Sequence, residues 1–196
     1  MRNRLFITIT ITSALLLAAC GGSSSGTAAG PSTSASTAPP GPGATAHVAH
    51  PVAANPSVSA KMICEKEVEK DIYEQATGVK PVSITKPTWI DHVYSCTYVY
   101  PAGARMTLSV KELSNTDETM AYFETLAAKL GKAKDNLGIG QGSFQVQGGS
   151  AVVRKDFKVL LVDVTKLPAN FGVPTETRAD AATNVAQAIM GCWTGA

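Results

Sequence analysis

Apolar positions along the chain follow two rhythms, and each change of rhythm marks a new element. Cys64, Val68, Ile72 and Ala76 recur every fourth residue with Glu65, Glu67, Glu69 and Lys70 largely between them. That spacing predicts a helix, with Gly78 as its stop. Residues 81–85 read as a short edge strand, and 89–92 as a loop. From 94 to 100 the period falls to two, with Tyr94, Cys96, Tyr98 and Tyr100 on one face. Pro101-Ala102-Gly103 turns the chain, and Met106, Leu108 and Val110 alternate along a partner strand, so this stretch predicts a hairpin.

The helical rhythm returns over 115–130. Asn115 with Glu118 three residues later predicts an N-terminal cap; Phe123, Leu126, Ala127 and Leu130 form the apolar stripe, and Gly131 ends it. Two strands follow near 143–147 and 150–155, joined by Gly148-Gly149. The run 157–165 is the most apolar of the folded region. Val159, Leu160, Leu161, Val162 and Val164 leave no face for water, which predicts a strand covered on both sides. Residues 168–174 read as a loop, and 177–192 as a closing helix that buries Ala182, Val185 and Ile189, with Trp193 packed at its end.

The order is helix, two or three strands, helix, three strands, helix. It predicts an α+β class: an antiparallel sheet with helices packed on it, built as one domain over 61–196.

Upstream of that domain the pattern is different. Arg2 and Arg4 precede an apolar run over 5–17, followed by Leu17-Ala18-Ala19-Cys20 and then Gly21-Gly22-Ser23. A run of about 13 residues falls short of the ~20 helical residues that a hydrocarbon core needs, and it has the size and flanks of a secretory segment. The stretch resembles a bacterial lipoprotein signal peptide. The resemblance implies a signal peptide at 1–19, with Leu17, Ala18 and Ala19 as the cleavage motif, and a diacylglycerol on the thiol of Cys20. The lipid would make the membrane a partner and hold the chain on the outer face of the cytoplasmic membrane. Between residues 21 and 60 there is no Asp, Glu, Lys or Arg. Gly, Ser, Thr, Ala and Pro dominate there, so with Cys20 the segment 20–60 reads as a disordered tether.

Charge narrows the choice of partners. The whole chain has 17 basic and 15 acidic residues; loss of Arg2 and Arg4 leaves 15 of each. A neutral body with no basic cluster longer than Arg154-Lys155 does not suit nucleic acid. Cys64, Cys96 and Cys192 remain besides Cys20, and three thiols permit three single bridges. Cys64–Cys96 and Cys64–Cys192 are the leading pairs. No spacing matches a zinc site. His47 and His50 have helical metal-ligand spacing, but Pro51 and the nearby glycines argue against a helix, so no metal or cofactor is expected.

The domain itself is similar to the PsbP-like α/β/α sandwich of actinobacterial cell-envelope lipoproteins. The residues that carry the likeness are Cys64, Cys96, Leu137-Gly138-Ile139-Gly140 and the Ala-rich closing helix with Val185 and Ile189. It covers about 61–193 and implies that fold together with a Cys64–Cys96 bridge. Cys192 departs from a one-bridge pattern, and the family brings no assigned activity.

Candidate chemistry is thin. Gly138-Ile139-Gly140-Gln141-Gly142 precedes a strand rather than a helix and reads as a turn, not a dinucleotide loop. His92 is the one histidine of the domain, with no Gly-x-Ser-x-Gly elbow to serve. Trp89, Tyr94, Tyr98 and Tyr100 suit a strand's buried face better than a binding surface, and Arg154-Lys155-Asp156 reads as a solvated trio. The sequence thus predicts a non-catalytic binding or scaffolding module for an envelope protein, polymer or lipid. A carrier of a lipid or small apolar ligand between sheet and helix ranks second, and a cell-wall hydrolase third.

Overall fold

The computed structural model describes residues 51–193, which fall within one compact unit. The expected signal peptide, Cys20, His47, His50 and the part of the expected tether up to residue 50 lie outside the described residues. The chain is α+β, with a mostly antiparallel sheet and four helices.

The helical start is earlier and less regular than the apolar period predicts. Helix α1 (Val58–Lys61) is capped by the Ser57 side chain, which accepts from the Ala60 amide. A 3-10 turn, Met62–Cys64, follows. Glu65 then adopts an extended conformation (φ −89°, ψ 158°) and separates that turn from α2 (Lys66–Asp71). A π turn, Ile72–Thr77, continues α2 and ends at Gly78 in the left-handed region (φ 61°). A Cβ at Gly78 would sit 2.0 Å from the Val173 carbonyl oxygen, so only glycine fits that stop. Both helical pieces bury their apolar residues (Ala60 and Ile63, then Val68 and Ile72) in one core. The four-residue period therefore runs through the break without showing it.

The eight sheet strands are β1 (Ser83–Ile84), β2 (Thr88–Ile90), β3 (Val93–Val99), β4 (Arg105–Glu112), β5 (Lys132–Asp135), β6 (Gly142–Val146), β7 (Ala151–Lys155) and β8 (Lys158–Asp163). Their spatial order is β1-β3-β4-β8-β7-β6-β5, with β2 also paired to β3. The expected loop at 89–92 is instead a hairpin. Thr88, Trp89 and Ile90 pair with Ser95, Tyr94 and Val93. Asp91 and His92 make its two-residue turn, both at positive φ (50° and 57°). Such turns usually announce themselves by Asn-Gly or Asp-Gly, and Asp and His are tolerated there less visibly. Strand β5 also lacks an apolar signal, because all four of its residues are exposed. Within the expected loop 168–174, β9 (Asn170–Phe171) pairs with β10 (Glu176–Thr177).

Helix α3 (Thr116–Leu130) joins β4 to the far edge strand β5. Asn115 caps it by accepting from the Glu118 amide. Helix α4 (Arg178–Cys192) closes the chain, capped by Thr177. Strand β8 is covered on both faces. Val159 and Leu161 join Phe144, Val146 and Val152 under Phe123, Leu126 and Leu130 of α3. Leu160 and Val162 join the larger core of Tyr98, Met106, Leu108 and Val110 with Val185 and Ile189 of α4. The alternation of β3 is likewise a core face: Cys96, Tyr98 and Tyr100 are buried, and burial pushes both phenols well above their ordinary range.

Cys64 and Cys96 are at disulfide distance (Sγ–Sγ 2.16 Å) and bridge the 3-10 turn to β3. Cys192 is exposed and donates to Asp71 Oδ2 at 3.2 Å, so it takes no part in that bridge. Residues 64 and 96 are 32 apart in sequence. Reduction under native conditions is therefore expected to lower the unfolding free energy by about 3–4 kcal/mol, from the entropy regained by the opened loop. Paired urea titrations with and without reductant measure it.

Candidate functional site

At one end of the sheet a cleft of about 770 Å³ opens. Four segments wall it. Strand β4 ends on Glu112 and Leu113; α3 begins at Thr116; the turn between β7 and β8 supplies Asp156 and Phe157; and residues 51–53 with Ser57 lie across the remaining side. The volume falls within the ~300–1,000 Å³ range of sites that take small organic ligands.

Two buried charges make this cleft unlike the rest of the surface. Alternation carries the buried face of β4 from Met106, Leu108 and Val110 on to Glu112, and the buried face of β8 from Val162 and Leu160 back to Lys158. The two charged residues are direct cross-strand partners, only 7% and 6% exposed. Their opposite charges do not form a closed pair. Glu112 Oε1 instead accepts from the Ser57 amide at 3.0 Å and from the Ser57 hydroxyl. Among the hydrogen bonds and ion pairs of the described residues none involves the Lys158 ammonium, which lines the cleft. A lysine this deep in a fold ordinarily has a partner.

Besides those four segments, the β5–β6 connection adds Gln141 to the wall. Gly140 (φ 63°) runs so close to β7 that a Cβ would lie 2.7 Å from the Arg154 carbonyl oxygen. This approach lets the Gln141 amide donate to that same oxygen at 2.8 Å. Gln141 in return accepts at its own carbonyl from Arg154 Nη2 (2.8 Å) and at Oε1 from the Asp156 amide (2.9 Å). Arg154 Nε and Asp156 Oδ2 stay buried without a protein partner. Beyond the rim, the Ser114 hydroxyl and amide hold the exposed Glu118 carboxyl below the usual carboxylate range at the start of α3.

The residues singled out in the sequence scatter differently. Arg154 and Asp156 belong to the cleft and are half-buried, so they are not a solvated trio. Lys155 leaves them and donates to the Trp193 carbonyl at the end of α4 (2.8 Å). The turn 138–142 contributes Gln141, as a connection between strands rather than a phosphate cradle. His92 sits on the exposed β2–β3 turn, edge-on to Trp89 at 5.6 Å; its carbonyl accepts from the Glu112 amide at 2.9 Å, but it does not line the cleft. Trp89 Nε1 donates to the Ala54 carbonyl (2.8 Å) and so pins the crossing segment from its other side. Tyr98 is a core residue whose hydroxyl donates to the Ile63 carbonyl. Glu112, Leu113, Gln141, Phe157 and Lys158 were missed. The signal was present: Glu112 and Lys158 occupy positions that the period of two assigns to the inside.

No protein-family model matches the chain, and neither a curated protein nor a solved structure matches it at a significant level. No group of His, Cys, Asp and Glu among the described residues is arranged to hold a metal ion.

Ser57 has two jobs at this cleft, capping α1 and donating to Glu112. Ser57→Ala is therefore expected to cost about 1–2 kcal/mol and to accelerate amide exchange over 57–60. Urea denaturation and hydrogen exchange of the variant against the parent test both parts.

Proposed function

We propose that this chain is an extracytoplasmic lipoprotein, held on the outer face of the cytoplasmic membrane by a diacylglycerol on Cys20. Its folded part acts as a non-catalytic binding module, and the cleft at the sheet end is where it binds. What carries this reading is Lys158: a residue only 6% exposed whose ammonium has no partner among the described residues, opposite a carboxylate whose Oε1 is held by Ser57, in a cleft large enough for a small ligand. Its packed stem holds the ammonium in place at the cleft wall, so a ligand that supplies the counter-charge meets a positioned partner.

The groups in the cleft hold rather than react. Arg154, Lys158, Gln141 and the Asp156 carboxylate suit charge recognition, and the domain's one histidine is elsewhere. The carrier reading would put an apolar molecule between sheet and helix. That layer is occupied by Tyr98, Leu160, Val185 and Ile189, each at zero exposure, so the cleft is the better-supported site. The PsbP-like sandwich remains the proposed family architecture. Its support is the packing of α3 on one face of the sheet and of α4 with the N-terminal helices on the other, together with the Cys64–Cys96 pair.

Two measurements test the proposal. Membrane fractions of cells making the full chain should contain the protein with a diacylglycerol-sized mass addition at Cys20, and Cys20→Ser should release it from those fractions. Hydrogen exchange of the same protein in an envelope extract should show protection at Glu112, Gln141 and the β7–β8 turn. Protection confined to other surfaces would remove the cleft from the proposal.

A further inference from the structure

We infer that the cleft takes a zwitterionic ligand with an apolar body, chemically a short peptide with free termini. The inference rests on the binding-module reading and names its ligand class. The β7–β8 turn presents three consecutive residues, Asp156-Phe157-Lys158: a carboxylate, a ring and an ammonium, all lining one cavity. The two charges form no ion pair with each other or with any other described residue. Asp156 Oδ2 is enclosed without a donor, and Asp156 Oδ1 and the Lys158 ammonium have no partner among the described residues.

Those two groups have not satisfied each other although they are two residues apart. A ligand that carries a carboxylate and an ammonium on separate atoms pairs with both at once. A simple anion would satisfy Lys158 and leave Asp156 repelled; a simple cation would do the reverse. The four charged residues of the cleft, Glu112, Arg154, Asp156 and Lys158, sum to zero, which favours a ligand of no net charge. Between the charged ends Phe157, Leu113 and Val52 offer apolar wall, and Gln141 lies at the rim for a peptide group. The packed stem of Lys158 positions its ammonium on the cleft wall, where it can make a charge-assisted hydrogen bond to a carboxylate.

The experiment uses the full chain in detergent micelles and the tripeptide Ala-Leu-Ala as probe, followed by calorimetry and by chemical-shift changes at the cleft. The free tripeptide should bind with a dissociation constant of about 1 mM or tighter. Its N-acetylated and C-amidated forms should each bind roughly tenfold more weakly, having lost one charged contact. Lys158→Met keeps the buried stem and should abolish the penalty of C-amidation. Asp156→Asn keeps a residue that tolerates φ 55° and should abolish the penalty of N-acetylation. The probe series on the unaltered chain stands even where a variant fails to fold.

Equal binding of all three peptides, or none at about 10 mM, overturns the zwitterion assignment. A cleft that ignores the peptides but shifts with octanoate or N-acetylglucosamine also overturns it, while the binding-module reading survives. That reading falls only if envelope extract leaves the cleft unprotected.

Discussion

Strand β8 is the constraint on which the rest of the structure depends. It lies at the centre of the order β1-β3-β4-β8-β7-β6-β5, and its side chains enter two cores in alternation. Val159 and Leu161 go to the α3 side, Leu160 and Val162 to the α4 side. A strand with no wet face cannot slip by one residue without exchanging its two apolar sets, so its register fixes both layers together. The connection through α3 follows from this. The chain leaves β4, crosses one face inside that helix, and returns strand by strand through β5, β6 and β7 until β8 closes against β4.

The same alternation creates the cleft. At its starting end β8 offers Lys158 where the pattern would put another Leu or Val, directly across from Glu112 on β4. The two charges sit at the end of the strands that lines the cleft, beside the start of α3. A pair of opposite charges at such a place would ordinarily close on itself. Ser57 prevents this by taking the Glu112 carboxylate with both its amide and its hydroxyl, and the ammonium is left to the cleft. Geometry at the far side depends on Gly140, whose backbone approaches β7 closely enough for Gln141 to bond Arg154 and orient the Asp156 turn.

Much of this fold was legible in the sequence, because burial and period coincide there. The β3–β4 hairpin, α3 with its Asn115 cap, the Gly148-Gly149 turn and the doubly covered β8 all follow from spacing alone. What escaped notice lacked an apolar signal or hid inside one. Strand β5 is exposed along its length and held by backbone pairing to β6, which no side-chain pattern records. Strand β2 turns into β3 through Asp91-His92 without a glycine. The helix break at Glu65 keeps one face inward on both sides and so leaves the period intact. The cleft was the hardest to see, since its parts come from residues 51–57, 112–116, 141 and 154–158 and meet only once the sheet has formed. Glu112 and Lys158 were nevertheless anomalous on their own strands, as charges at inward positions.

One wall of the cleft is donated by chain that composition alone assigns to the linker. Among the described residues, Glu112 and Trp89 fasten residues 51–57 to the sheet by side-chain hydrogen bonds. A version of the protein trimmed to start at Lys61 would keep every strand but lose Ala60 from the larger core and one wall of the cleft, with Glu112 stripped of its Ser57 donors. Where the molecule is cut to begin thus decides whether the cleft keeps its fourth wall.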